Sequence, residues 1–185
     1  MNQLRARLRD ATAPLHERVD RAFSAFALEH TEGYRHFLAA HAEVTVPLEQ
    51  TLEAAGIQTL LPDWPQRCRR QALLADLQDL GAPATAVIAP GEISTPGWCW
   101  GAVYVMEGSR LGGRVLAKRV AQANPNAPLR YLGQQNVAPS WPGFLEHFER
   151  NASGCPWNEV LEGAQSVFER FIRAAEARRE RLLPA

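Results

Sequence analysis

Residues 98–118, WCWGAVYVMEGSRLGGRVLAK, read as one long helix, because Trp98, Ala102, Val105, Met106, Leu111, Val115 and Leu116 recur at roughly helical spacing. Glycines interrupt that pattern at 101, 108, 112 and 113. An interior glycine costs a helix about 1 kcal/mol relative to alanine. Gly108, Gly112 and Gly113 together are therefore a substantial penalty unless bare backbone is needed there. Gly108 and Gly112 stand one turn apart, so with Gly113 they open a face without side chains. Such a face admits either a neighbouring helix at short range or a flat ligand, and spacing leaves both open. Thr95 and Pro96 start this helix well, an N-cap followed by a proline in the first turn.

Upstream, Leu4, Leu8, Ala11, Leu15, Val19 and Phe23 recur at three- and four-residue steps and predict an amphipathic helix from Gln3. Pro14 kinks that helix or restarts it, Thr12 then serving as the N-cap of a new segment. A second helix is predicted from Thr31, as N-cap, through Tyr34, Phe37, Leu38, His41, Val44 and Leu48 to Leu52, bent by Pro47 and stopped by Gly56. A third covers 66–80, with Gly81 after it. Residues 82–94 form a connection in which TAVIA, 85–89, would be a very short strand if it had a partner. One helical turn is expected at 129–132, a short helix at 142–151 and a long final helix at 156–182. No segment alternates with period two for long enough to build a sheet, so the predicted fold is all-α, in a single domain over residues 1–185.

A chain of 185 residues can bury about 70% of its unfolded surface without staples. Apolar residues at 46% and charged ones at 22% are ordinary for a soluble globular protein. Twenty acids balance twenty bases, which leaves no global field for nucleic acid or an anionic membrane. Cys68, Cys99 and Cys155 are odd in number and widely spaced, so reduced structural thiols are expected rather than a disulfide framework. The N-terminus lacks a signal-peptide core and no run of eighteen apolar residues exists, so the expected compartment is the cytoplasm, with no membrane partner.

The histidines, at 16, 30, 36, 41 and 147, show neither the H-E-x-x-H spacing of a helical zinc site nor the Glu-x-x-His of a di-iron bundle. GSRLGG lacks the βαβ context of a phosphate loop. His16 remains as a candidate single ligand. Arg9 precedes it by two helical turns on nearly the same face, so a ligand held at His16 would meet a cation at Arg9. Asp20, one turn after His16, is placed to orient the ring through its other nitrogen.

LRDATAPLHERVD together with YVMEGSRLGGRVLAKRV resembles the heme oxygenase family, and more closely its compact bacterial branch that supplies biliverdin to bacteriophytochromes. The resemblance spans nearly the whole chain. It implies that His16 is the axial ligand of heme iron, that Thr12 occupies the position four residues before it, and that Arg9 meets a heme propionate. It implies that Gly108, Gly112 and Gly113 let the distal backbone lie against the porphyrin, and that Phe168 lines the pocket. Two departures stand out. Ser109 replaces the distal aspartate that organises water in many members, and FLEHFER lacks the usual lysine and arginine, leaving Tyr104 or Arg150 as substitute propionate contacts.

The activity implied is oxidative cleavage of heme, both substrate and cofactor, to biliverdin, carbon monoxide and ferrous iron. Dioxygen would be consumed with electrons from a ferredoxin, flavodoxin or reductase, and a bacteriophytochrome would accept the biliverdin. An alternative is a heme-binding or sequestration protein on the same fold that does not degrade its ligand. Thiamin-degrading relatives of this architecture use a cysteine and acid site that has no obvious counterpart here.

Overall fold

The computed structural model describes residues 3–82, 95–133 and 140–181. Among them the chain forms α1 (Gln3–Ser24), α2 (Thr31–Ala54), α3 (Ile57–Leu60), α4 (Trp64–Arg67), α5 (Arg70–Asp79), α6 (Pro96–Ala123), α7 (Arg130–Gly133), α8 (Trp141–Ala152) and α9 (Trp157–Glu180). No strand occurs among the described residues, in keeping with the all-α expectation, while TAVIA falls outside them. Nor is any helix among them long and apolar enough to cross a membrane.

α6 and α9 form the principal packed pair, with α1 and α2 laid against α9. The predicted inward face of α9 is buried, including Val160, Ala164, Val167, Phe171 and Ile172. Glycine makes this closeness possible. A Cβ at Gly101 would overlap the Val160 carbonyl, and one at Gly163 would overlap the Trp98 carbonyl. The close packing that spacing allowed for Gly108, Gly112 and Gly113 falls instead on Gly101 and Gly163. Gly101 serves helix packing, whereas Gly108 and Gly113 have neighbours only at ordinary van der Waals distance and Gly112 has none within 4 Å.

Several local expectations change. α1 runs through Pro14 without a restart, because Pro14 and the Asp10 carbonyl it cannot bond are both on the exposed face. Thr12 is buried mid-helix and donates its hydroxyl to the Leu8 carbonyl at 2.8 Å instead of capping. Thr31 is the first residue of α2, and His30 occupies the N-cap. The predicted helix 66–80 divides into α4 and α5 around Cys68 and Arg69. Of the residues counted in the apolar pattern of α6, Val115 faces outward at 69% exposure and Leu111 is exposed at the wall of a cavity rather than packed in the core. Gly56 and Gly81 do follow α2 and α5 in left-handed conformation, and Thr95 caps α6 by accepting the Trp98 N–H at 3.3 Å.

The break between α4 and α5 is held by charge. Arg67, fully buried, forks onto Asp63 (2.9 and 2.7 Å) and donates to Glu107 at 2.6 Å. Arg110 bonds the other Glu107 oxygen at 2.9 Å and the Arg67 carbonyl. Removing one member strands buried charge, so Glu107→Ala is expected to lose about 3–5 kcal/mol of unfolding free energy by urea titration.

Candidate functional site

One cavity of about 580 Å³ lies between α1 and α6. α1 contributes Arg5, Arg9, His16, Asp20 and Phe23 to its wall, and α6 contributes Tyr104, Gly108, Ser109, Arg110, Gly112 and Gly113. Phe168 and Phe171 of α9 close the side, and Arg69, His41 and Tyr131 also line it. Candidate residues as far apart in sequence as Arg9 and Phe168 are thereby brought together, and the rings of His16 and Phe168 meet edge-on at 6.0 Å.

His16 is exposed, and its Nδ1 stands 3.1 Å from Asp20 Oδ2. With the ring N–H at Nδ1 donated to that carboxylate, the lone pair is left on Nε2. Arg9 lines the cavity, but its Nε and Nη2 both lie on Asp10 Oδ1, at 2.9 and 2.8 Å. Tyr104 is half-buried against Trp141 and Phe148, and burial pushes its phenol pKa up despite the nearby Arg5 and Arg9.

Two candidate residues lie elsewhere. Thr12 does not reach the wall, since its hydroxyl is spent on its own helix. Arg150 lines a separate shallow hollow with Asp63, Glu146 and His147, so it cannot replace a cation in the main cavity.

Ser109 also differs from expectation in what it can do. Its hydroxyl donates to the Met106 carbonyl at 2.6 Å and accepts from Arg69 Nη2 at 2.9 Å. A serine hydroxyl has one hydrogen, so Ser109 can offer the cavity only a lone pair. Arg69 Nη2 also donates to Met106 O at 3.0 Å, and the guanidinium sits 4.9 Å over Tyr131. Arg69 lines the cavity beside Ser109, and its guanidinium has further N–H groups beyond those on Nη2.

Sequence reading passed over Arg5, Arg69, Arg110, His41 and Tyr131. Arg5 was findable, one turn before Arg9 on the same helix. Arg69 and Tyr131 carry no local pattern, because they meet only through the fold.

His41 is boxed by Phe37, Phe23, Phe171 and Tyr131 at ring separations of 4.2, 4.5, 5.4 and 5.5 Å. Burial pushes its pKa down to about 4, partly opposed by the Nδ1–H bond to the Phe37 carbonyl at 2.9 Å and aided by Arg69. The unfolded chain takes up the proton near pH 6.5, which the native state resists until about pH 4. Stability should therefore fall as pH drops from about 6.5 to about 4, by about 3 kcal/mol from this group. Urea titrations of His41→Gln should lack that part of the acid loss.

No protein-family model matches the sequence. The chain is 33% identical over 151 residues to a heme oxygenase of Xanthomonas campestris pv. campestris, covering 78% of this chain and 91% of that protein. The chain belongs to the heme oxygenase family. A second heme oxygenase, PigA of Pseudomonas aeruginosa, is 28% identical over 155 residues, covering 76% and 74% of the two chains. The fold of this heme oxygenase superposes on the structure of the NO- and CO-bound enzyme of Neisseria meningitidis with a TM-score of 0.78, at 24% identity over 95% of this chain and 91% of that one. The heme oxygenase of Leptospira interrogans superposes with a TM-score of 0.70, at 20% identity over 94% and 98%. The cavity between α1 and α6 is accordingly the candidate active site of a heme oxygenase fold.

Proposed function

We propose that this enzyme binds heme between α1 and α6 and opens it to biliverdin, carbon monoxide and ferrous iron, using dioxygen and electrons from a ferredoxin, flavodoxin or reductase. The observation that carries the reading is the cavity itself. On one wall His16 has Nδ1 engaged by Asp20 and Nε2 left to ligate, and on another three glycines present backbone to space that side chains would fill. A flat macrocycle with a metal at its centre suits both walls.

Heme, once bound, supplies an iron that activates dioxygen and a porphyrin edge that is itself oxidised. The protein's residues then have separable tasks. Asp20 fixes the orientation of the His16 ring, the usual role of a carboxylate behind a metal-bound histidine. Arg5, Arg9 and Tyr104, gathered at one part of the wall, hold the propionates, Arg9 exchanging its exposed contact with Asp10 for a propionate oxygen. Gly108, Gly112 and Gly113 set the distal backbone close to the ring. Arg69, fixed by Ser109 and Met106 O, turns its remaining N–H groups to ordered water and to negative charge developing on that side. Phe23, Phe37, Phe168 and Phe171 keep bulk water from the inner end.

Residues 1–185 act as one heme oxygenase-like domain in this reading. A cytoplasmic setting suits the three free thiols and a soluble electron donor, and a bacteriophytochrome is the proposed acceptor of biliverdin. Hemin added to the purified protein, followed by a reducing system under air, tests the activity. Loss of the Soret band with growth of biliverdin absorption is expected. A persistent Soret band would instead favour heme sequestration, and absence of a complex would overturn heme binding.

A further inference from the structure

Glu49 is a carboxylate with no exposed surface, carried by α2 between Leu48 and Leu52 of the apolar core. Burial of a charge costs several kcal/mol unless it is well paired, so its partners define its purpose. Its two oxygens accept the backbone N–H groups of Arg69 at 2.7 Å and Arg70 at 3.2 Å, and Arg70 Nη1 lies 3.5 Å away. These N–H groups open α5, whose N-cap position is Arg69. A helix usually receives this bond from its own N-cap side chain. A guanidinium carries only donors, so the Arg69 side chain cannot make this bond, and it reaches instead across to Met106 O and Ser109 Oγ on α6. Glu49 does the capping from another helix and so fixes the backbone from which that arginine reaches the cavity wall.

We propose that Glu49 is a positioning residue for the active site: by fixing the Arg69 backbone it sets the place of the Arg69 guanidinium, and through Ser109 the course of α6 across the cavity. The inference rests on the heme reading for its functional half only. Arg67 ties the same stretch of α6 through Glu107, so the link between α4 and α5 grips the distal helix at two points, and Glu49 anchors the second.

Two measurements test this. In the ligand-free protein, hydrogen exchange of peptides spanning 104–113 should rise about tenfold in Glu49→Ala and equally in Arg69→Ala, with no further rise in the double variant. In the ferric heme complex, fluoride affinity, which reports hydrogen-bond donors near the bound anion, should fall about tenfold in both variants, equivalent to about 1.4 kcal/mol, and again non-additively. Glu49→Gln, which keeps one carbonyl acceptor and the side-chain volume, should restore most of both signals and serves where the alanine variant fails to fold. Lowered melting temperature with unchanged exchange over 104–113, or unchanged fluoride affinity, would overturn the proposal and leave Glu49 a cap of α5 alone. Failure of the wild-type protein to bind hemin would overturn the heme reading instead, and the exchange comparison would still decide the structural half.

Discussion

Replacing His16 by alanine is expected to abolish the axial ligation of bound heme and to lower ring-opening turnover by more than about 100-fold. The bound is set by the tenfold to hundredfold cost typical of losing a group behind a metal ligand, as Asp20 is here, since losing the ligand itself costs more. Imidazole supplied in solution should restore part of the signal, because the alanine leaves a gap of imidazole size at the cavity wall. The check is the ferric heme spectrum with and without imidazole, followed by single-turnover oxidation. His16 is exposed, so the substitution should hardly change stability, and a wild-type heme spectrum in the variant would assign the ligand elsewhere.

Two alanine substitutions on the same helix are expected to act in opposite ways. Gly101→Ala drives a Cβ into the Val160 carbonyl of α9, in the tightest packed pair of the fold. Overpacking against backbone costs about 3 kcal/mol or more, and at about 2–4 °C per kcal/mol for a chain of this size the melting temperature should fall by roughly 10 °C. Gly112→Ala meets nothing within 4 Å. It should stabilise the ligand-free protein by about 0.5–1 kcal/mol, the helix-propensity gain, while hemin affinity falls at least about tenfold because the new methyl occupies the space of the ring. Thermal melts and hemin titrations of the two variants separate the roles. A Gly112→Ala protein that is more stable and binds hemin as the parent does would remove the distal backbone contact from the mechanism.

The contrast between those glycines shows where sequence reading reaches and where it stops. The cost of glycine in a helix is local, and it marked residues 101 to 113 as unusual without any fold. What each glycine faces is not local. Gly101 meets a carbonyl 59 positions away, whereas Gly112 meets open cavity, and only the crossing of α6 over α9 decides which. The same division runs through the polar groups. His16 and Asp20 were legible because they lie one helical turn apart, and Arg9 because it lies two turns before. Arg69 was not, since its side chain contacts α6 and α7 across the fold and its sequence neighbours predicted only an uninterrupted amphipathic helix. Thr12 shows the opposite error, a good cap residue whose hydroxyl the buried face of α1 turned back on its own helix.

The sequence by itself determined the helical content, the helix starts at Thr95 and stops at Gly56 and Gly81, and the pairing of His16 with Asp20, because each depends on residues within one or two turns of one another. Tertiary structure alone decided which glycines pack and which face the cavity, the exclusion of Arg150, the commitment of the Ser109 hydroxyl, and the arrival of Arg69 and His41 at the site. The physical reason is separation. A helical period fixes direction around one axis, but the distance between two axes is set by the side chains and glycines of both.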